Sequence, residues 1–310
     1  NYVKEMRSGK KYAVSLSGGI DSMVLISVLK YLKQDVIGIH INYNNRRESS
    51  EEEKFLLDWC KFNNIELYVK PIESVTRHIG NRSLYEQITK ILRFNFYKEI
   101  TEALKLDCVL LGHHKGDIIE NIFMNFFRGR FLTNLAVMKK KGIIDDVVIH
   151  RPLINLHKGE IFEFAHQNDV PYFKDSTPNW SMRGMYRNVA LPLLKKMFNN
   201  NVENNLSNIN NEASEWKELI DTTIIDPFMH SCKFNRKSVE VDISTYKNYP
   251  QSFWYNVLMQ ICHKYSCSAP SKKSVMHFVK HMKEKDRFKF HMNCMYTIQC
   301  GNNLLKITFK

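Results

Sequence analysis

The chain has 310 residues, 44% of them hydrophobic, with 45 Lys and Arg against 32 Asp and Glu and a formal net charge of +13. That length supports two domains with cores of their own, and the excess of positive charge points to a polyanionic partner, nucleic acid first. No stretch approaches the ~20 uninterrupted apolar residues of a membrane helix and the opening residues do not read as a signal peptide, so no membrane partner is expected. The expected location is the cytoplasm, or an organelle matrix if a targeting segment has been removed. The seven cysteines, Cys60, Cys108, Cys232, Cys262, Cys267, Cys294 and Cys300, are odd in number and form no C-x-x-C pair. They fit a reducing compartment better than a disulfide framework.

In chain order, apolar runs over 12–16, 36–41, 66–69 and 108–112 read as strands, and helical periodicity fills 22–33, 51–62 and 84–104 between them. Ser49 or Ser50, followed three residues on by Glu52 or Glu53, reads as a capping box. Strands alternating with helices predict an α/β fold, a parallel sheet covered by helices on both faces. Ligands in such sheets sit beyond the carboxyl ends of the strands. Near Asn199 the composition turns polar, and "NNNVENNLSNINNE" over 199–212 reads as a linker or a solvated helix start. We place a domain boundary there, with a first domain over 1–200 and a smaller α+β domain over 201–310. In the latter, 214–225 and 251–265 read as helices, and 287–309 as strand, turn and strand with Asn302 and Asn303 in the last turn. Cys262, His263, Cys267, His277 and His281 cluster in sequence but match no zinc spacing, so ordinary helix packing is expected for them.

Two segments carry chemistry. In "SLSGGIDS", 15–22, an apolar strand hands over to a helix through two glycines. Glycines there let backbone N–H groups converge, and the following helix offers unpaired N–H groups and a positive dipole end. Together they make an anion cradle suited to phosphate. Ser17 and Ser22 add hydroxyls, and Asp21 adds a carboxylate able to hold Mg²⁺ beside the phosphates. Neither a Walker A loop nor a G-x-G-x-x-G fingerprint is present. The second segment, "LLGHHKGDIIENIFMNFFRG" over 110–129, follows a strand and enters a helix. Asp117 and Glu120, three apart, share a helical face. Two carboxylates with His113 or His114 at the strand end can bind an amine and accept its proton.

The first segment resembles the SGGxDS pyrophosphate loop of the N-type ATP pyrophosphatases, the PP-loop superfamily, which adenylate a substrate at the expense of ATP. The second resembles the GHHxxDxxE segment of the tRNA(Ile)-lysidine synthases and of the tRNA thiolases. Thiolases carry C-x-x-C pairs near the places of 85–97 and 171–179, and neither place has a cysteine here. "LYEQITKILRFNFY" is similar to a helix of the lysidine synthases, with Glu86, Arg93 and Tyr97 matching and Lys90 replacing an arginine. Their RPLL…EI…P…DSSN…RN…LP segment is similar to 151–194, where Arg151, Pro152, Glu160, Asp175, Ser176, Asn179, Arg187, Asn188 and Pro192 match. Many relatives have Asp where this chain has Gly116, and Ser-Asn where it has Thr177-Pro178-Asn179.

The resemblance implies a ligase forming a carbon–nitrogen bond. In that family ATP adenylates C2 of cytidine 34 in the CAU anticodon of tRNA(Ile), pyrophosphate leaves, and free L-lysine displaces AMP to give lysidine. On this implication Ser17, Gly18, Gly19, Ile20, Asp21 and Ser22 hold the phosphates, with Mg²⁺ at Asp21. The adenine lies near Leu16 and His40 to Asn42, Arg93 and Arg187 face the α-phosphate, His113 positions it or the carbonyl oxygen, and Asp117 and Glu120 serve lysine. A homodimer stays open. Basic runs at 45–47, 139–141, 195–196 and 272–273 are candidate tRNA contacts. Phe126, Phe127, Trp180 and Tyr186 are candidates to stack on an unstacked anticodon base, but aromatics at helical spacing are more often core, so they are left out of the site. Alternatives are a tRNA thiolase with another sulfur route, an ATP pyrophosphatase acting on a small molecule, and a tRNA-binding protein whose ATP site has decayed.

Overall fold

A computed structural model describes residues 11–44, 48–72, 82–130, 135, 138–174, 177–199, 201–292 and 295–310. The chain divides into two compact units, one ending at Asn210 and one occupying Asn211–Lys310.

In the first unit β1 (Lys11–Ser15), α1 (Ile20–Tyr31), β2 (Asp35–Asn42), α2 (Ser49–Phe62), β3 (Leu67–Pro71), α3 (Arg82–Ala103), β4 (Val109–Leu110) and α4 (Lys115–Phe127) alternate as expected. β5 (Lys141–Ile144), β6 (Val147–His150) and α5 (Lys158–Gln167) follow. The sheet order is β3-β2-β1-β4-β6-β5; all neighbours are parallel except the β5–β6 hairpin at the edge. Alternate residues of β1 face opposite layers. Tyr12 and Val14 pack with Met23 of α1, Leu56 of α2 and Ile161 of α5, whereas Ala13 packs with Phe94, Tyr97 and Ile100 of α3. Burial on both faces is why these strands read as continuous apolar runs. Strand order reverses at β1, because β2 lies to one side and β4 to the other. The crevice beyond the carboxyl ends of β1 and β4 is the topological switch point where such sheets bind ligands.

The predicted capping box at α2 is not there. Glu48 is the N-cap, without a side-chain cap bond, and Ser49 is already helical. Asn42 reaches that helix start instead, donating to Ser49 O at 3.4 Å and to Glu53 Oε2 at 2.7 Å. After α5 come α6 (Met182–Met185), a π-helical turn (Tyr186–Ala190) and α7 (Leu191–Phe198). Of the two readings of the Asn-rich stretch the helix start holds, not the linker: from Val202 on it opens α8 (Val202–Ile220), within which the two units divide.

The second unit contains a π turn (Asp221–Ile225), α9 (Asp226–Ser231), α10 (Gln251–Lys264), α11 (Lys272–Glu284) and five strands: β7 (Lys233–Phe234), β8 (Ser238–Asp242), β9 (Phe288–His291), β10 (Tyr296–Gly301) and β11 (Leu304–Phe309). They form an antiparallel sheet in the order β7-β8-β11-β10-β9. The tail is three strands, not two. Asn302 and Asn303, at φ 52° and 61°, make the last turn, the left-handed pair a tight hairpin requires. Phe228, Trp254 and Phe278 from the helices and Tyr296, Ile298, Leu305 and Ile307 from the sheet share one core. In the cysteine and histidine cluster, Cys262 is buried and His281 Nδ1 lies 2.9 Å from His277 O, ordinary helix contacts. Among the described residues no helix is long and apolar enough to cross a membrane.

Candidate active site

The crevice has two walls. The first is the turn from β1 into α1. Gly18 sits at φ +79°, where a side chain is strained, and a Cβ there would lie 2.6 Å from Phe173 Cδ2. The turn is tied to the strand-like segment beside it, with Phe173 N–H donating to Gly18 O at 2.9 Å. It is wired internally as well. Ser17 N–H donates to Ser22 Oγ (3.1 Å), Ser22 Oγ donates to Gly19 O (2.9 Å), and the two hydroxyls are 3.1 Å apart. Gly19 is the N-cap of α1 and no side chain caps the helix. Its first N–H groups and its positive dipole end are thus offered to an anion. We expect Gly18→Ala to lower stability by at least about 1–2 kcal/mol, the cost of a left-handed alanine, read as the shift in urea midpoint; an unchanged midpoint would contradict the tight turn described.

The second wall is the turn from β4 into α4. The walls touch through backbone: a Cβ on Gly112 would meet Asp21 C and Ser22 N at 3.0 Å. His114 is the N-cap of α4. Its Nδ1 accepts the Gly116 N–H at 3.0 Å while Asp117 Oδ2 accepts the His114 backbone N–H at 3.0 Å, a capping box built on histidine. With Nδ1 accepting, the hydrogen is on Nε2, which faces Asp117 Oδ2 at 3.6 Å and Asp21 Oδ1 at 3.9 Å. The buried imidazole therefore lies between the two walls, in hydrogen-bond contact with neither carboxylate through Nε2. A Cβ on Gly116 would lie 2.6 Å from His114 Cε1 in this ring position.

Charged side chains fill the rest. Glu120, only 3% exposed, takes Arg183 Nε on Oε1 and Arg187 Nε on Oε2, both at 2.8 Å. The arginines are four apart, flanking the start of the π turn at Tyr186–Ala190, a distortion often found at functional sites. Arg187 Nη2 also lies 3.8 Å from Asp117 Oδ1. Lys158 Nζ is 2.7 Å from both oxygens of Asp21. Arg151 Nε donates to His113 Nδ1 at 3.1 Å, and burial, reinforced by the Arg151, Arg93 and Arg183 charges, pushes the His113 pKa down to about 4 against the pull of Asp117. Arg93 lies over the Phe94 ring at 5.6 Å, hydrogen-bonds Tyr43, and keeps a buried Nε with no hydrogen-bond partner among the described residues.

The predicted site residues thus gather at one crevice, with qualifications. Asp117 and Glu120 do share a face, but both Glu120 oxygens already hold arginines, so Asp117 is the less enclosed of the two carboxylates. His40 is buried and its Nδ1 is 2.8 Å from Leu16 O, joining β2 to the end of β1. Tyr97 is a strut, its hydroxyl 2.6 Å from Ser15 Oγ. The 177–179 loop is anchored by Ser181 N–H donating to Pro178 O (2.9 Å) and Asn188 Nδ2 donating to Asn179 Oδ1 (2.7 Å). Gly184 lets it pass, since a Cβ would meet Pro178 O at 2.2 Å. Asp175, Ser176 and the run Asn45, Arg46 and Arg47 lie outside the described residues.

Lys158 and Arg183 were missed. Lys158 had a signal: as the first residue of α5 it places a cation at the positive end of a helix, a local conflict that a tertiary carboxylate resolves. The aromatics also need correction. Tyr186 is buried, but Phe126, Phe127 and Trp180 are 62%, 70% and 74% exposed and are not core. The inward face of α4 is taken by Ile118, Ile119 and Ile122.

The PP-loop domain model matches residues 1–194. The tRNA(Ile)-lysidine synthase of Staphylococcus epidermidis is 30% identical over 166 residues, covering 52% of this chain and 38% of that protein. The same enzyme of Pseudothermotoga lettingae is 29% identical over 209 residues, covering 65% and 45%. That of Staphylococcus aureus is 25% identical over 308 residues, covering 96% and 71%. The chain therefore spans less than half the length of the first two relatives. Among solved structures, the U34-tRNA thiolase of Methanococcus maripaludis superposes with a TM-score of 0.55 at 19% identity, covering 68% of this chain and 73% of that one, a likeness of fold alone. With its strand–turn–helix phosphate loop at the switch point of the sheet and the family model spanning residues 1–194, the chain belongs to the PP-loop domain family.

Proposed function

We propose that this chain is a tRNA(Ile)-lysidine synthase: it adenylates C2 of cytidine 34 in the CAU anticodon of tRNA(Ile) with ATP, then joins free L-lysine to that carbon, releasing pyrophosphate and AMP. The observation that carries the reading is the place of His114 between the two walls. One imidazole, 3.9 Å from Asp21 and 3.6 Å from Asp117, sets the phosphate loop one side chain away from a carboxylate suited to an amine. An enzyme that adenylates a carbonyl and then brings an amine to the same carbon needs that adjacency. Likeness to lysidine synthases over most of the chain and the absence of cysteine at 85–97 and 171–179 favour this over sulfur transfer.

The residues fit the nucleotide. The loop offers uncapped N–H groups, a Cβ on Gly19 would meet nothing nearer than Ser17 Oγ at 3.5 Å, and Arg93 keeps a buried, unpartnered Nε. Asp21 is the carboxylate that would hold Mg²⁺, an ion that takes its other ligands from phosphates and water; both its oxygens lie 2.7 Å from Lys158 Nζ, which the ion would displace. Bound there, Mg²⁺ would supply charge to the departing pyrophosphate.

The chain's own groups then divide the work. Ser17 to Ser22 cradle the phosphates, and Lys158 adds a positive charge beside the loop. The cytidine C2 oxygen attacks the α-phosphorus, the bond to the β-phosphate oxygen breaks, and Arg93 and Arg187 offset the charge on the α-phosphate. Asp117 binds the lysine ammonium and takes one proton. The freed ε-nitrogen attacks C2, and the C2–O bond to AMP breaks. Glu120 holds Arg183 and Arg187 in place. We assign this chemistry to residues 1–200 and further contact with tRNA to 201–310. Lys139, Lys141, Lys196, Lys272 and Lys273 are exposed, while Lys195 pairs with Glu203 at 2.6 Å.

Pyrophosphate release from ATP, with and without tRNA(Ile) and lysine, tests the reading. Release that needs tRNA but not lysine is expected; tRNA-independent release would point to a small-molecule substrate. Binding of tRNA is also expected to weaken linearly in log–log plots against salt, with a slope of about −0.7 to −0.9 per contacted phosphate. A flat salt dependence would remove RNA as the partner.

A further inference from the structure

His113 stands at the exit of β4, and its ring has one nitrogen spoken for. Arg151 Nε lies 3.1 Å from Nδ1. A guanidinium has only N–H donors and keeps its charge in proteins. Nδ1 must therefore be the acceptor, and in the neutral ring the hydrogen is on Nε2. Arg151 is fixed in this role. It is 5% exposed, its backbone N–H donates to Lys140 O at 2.8 Å, and its Nη1 donates to Lys139 O at 2.8 Å. Both carbonyls precede β5, so the edge hairpin sets the guanidinium.

From this geometry we infer that Arg151 is a positioning residue that locks His113 as a neutral imidazole with Nε2–H, and that His113 serves the reaction as a hydrogen-bond donor to an oxygen, never as a general base. The inference rests on the proposed lysidine reading for the identity of that oxygen, on the α-phosphate or at cytidine C2. The charged groups around His113 agree with it. Asp117 from α4 alone favours the imidazolium, while Arg151 after β6, Arg93 from α3 and Arg183 from α6 oppose it, as does burial. The consequence is a division of labour. With Nδ1 occupied and Nε2 protonated, the ring has no lone pair for the proton of the lysine ammonium. That proton must go to a carboxylate, and Asp117 is the one not enclosed by two arginines.

The test is a two-bond ¹H–¹⁵N spectrum of the full chain labelled at histidine, recorded without substrates across about pH 5–8, a window bracketing an ordinary histidine. His113→Gln assigns the signal. The expected result is an Nε2–H ring that does not titrate in that window; an Nδ1–H ring, or a titration within it, overturns the proposal. Arg151→Met is expected to free Nδ1, mix the tautomers and raise the His113 pKa from about 4; should that variant not fold, the wild-type spectrum decides alone. Kinetically, His113→Gln keeps an N–H donor and is expected to stay within about tenfold of wild type, whereas His113→Ala should lose about 10²–10³-fold, as for other lost oxyanion donors. Equal losses in the two variants would overturn the donor role. Because the spectrum needs no turnover, a wild-type chain that fails to transfer lysine would sink the functional reading separately from the state of the ring.

Discussion

Asp117→Asn is expected to slow lysine transfer by about 10²–10⁴-fold, the usual cost of a lost general base, while adenylation of the tRNA largely persists. The amide keeps the shape of the side chain, and its oxygen can still accept the His114 N–H that caps α4, so the helix start should survive. What it loses is the charge that holds an ammonium and the basicity that receives its proton. With α-labelled ATP in a single turnover, wild-type chain should carry label to tRNA and release it as AMP on a lysine chase. The variant should stall with label on the tRNA. Failure at adenylation with normal handling of lysine would move Asp117 to the nucleotide side of the crevice. Glu120 is a poorer target, because neutralising it would also release Arg183 and Arg187 and blur the two half-reactions.

The complementary variant is Asp21→Asn, for which pyrophosphate release should fall by about 10²–10³-fold, as when one preorganised electrostatic contact to a developing charge is lost. Asp21 is the residue assigned to Mg²⁺, and its pair with Lys158 is partly exposed, with side chains 29% and 38% accessible. Such pairs contribute at most about 1 kcal/mol, so the melting temperature should barely move. Wild-type pyrophosphate release from Asp21→Asn would contradict the phosphate-loop assignment. A large drop in stability would instead make Asp21 a structural residue.

The part of the fold that positions the site was legible because local and global signals agree there. The apolar run of β1, the two glycines and the amphipathic start of α1 each demand the same strand–turn–helix. The double-sided burial of β1, β2 and β4 makes each of them a continuous apolar run. The second unit was harder to read, since β7 has only two residues and owes its pairing with β8 to the rest of the sheet. The Asn-rich opening of α8 is a poor helix former, and tertiary context overrides it. In the site, residue types were legible but partners were not. Nothing local says that Glu120 meets Arg183, 63 positions away, or that Asp21 meets Lys158. Histidine is not among the favoured N-cap residues, so the cap at His114 emerges only from the folded chain.

The most direct measurement is the nucleoside composition of tRNA(Ile) after incubation with this chain, ATP and isotopically labelled L-lysine. The expected result is one labelled lysine per tRNA, at nucleotide 34, with one AMP and one pyrophosphate released for each, and none on a transcript whose cytidine 34 is replaced by uridine. AMP formation with no lysine in the tRNA, or label that ignores the base at position 34, would contradict it.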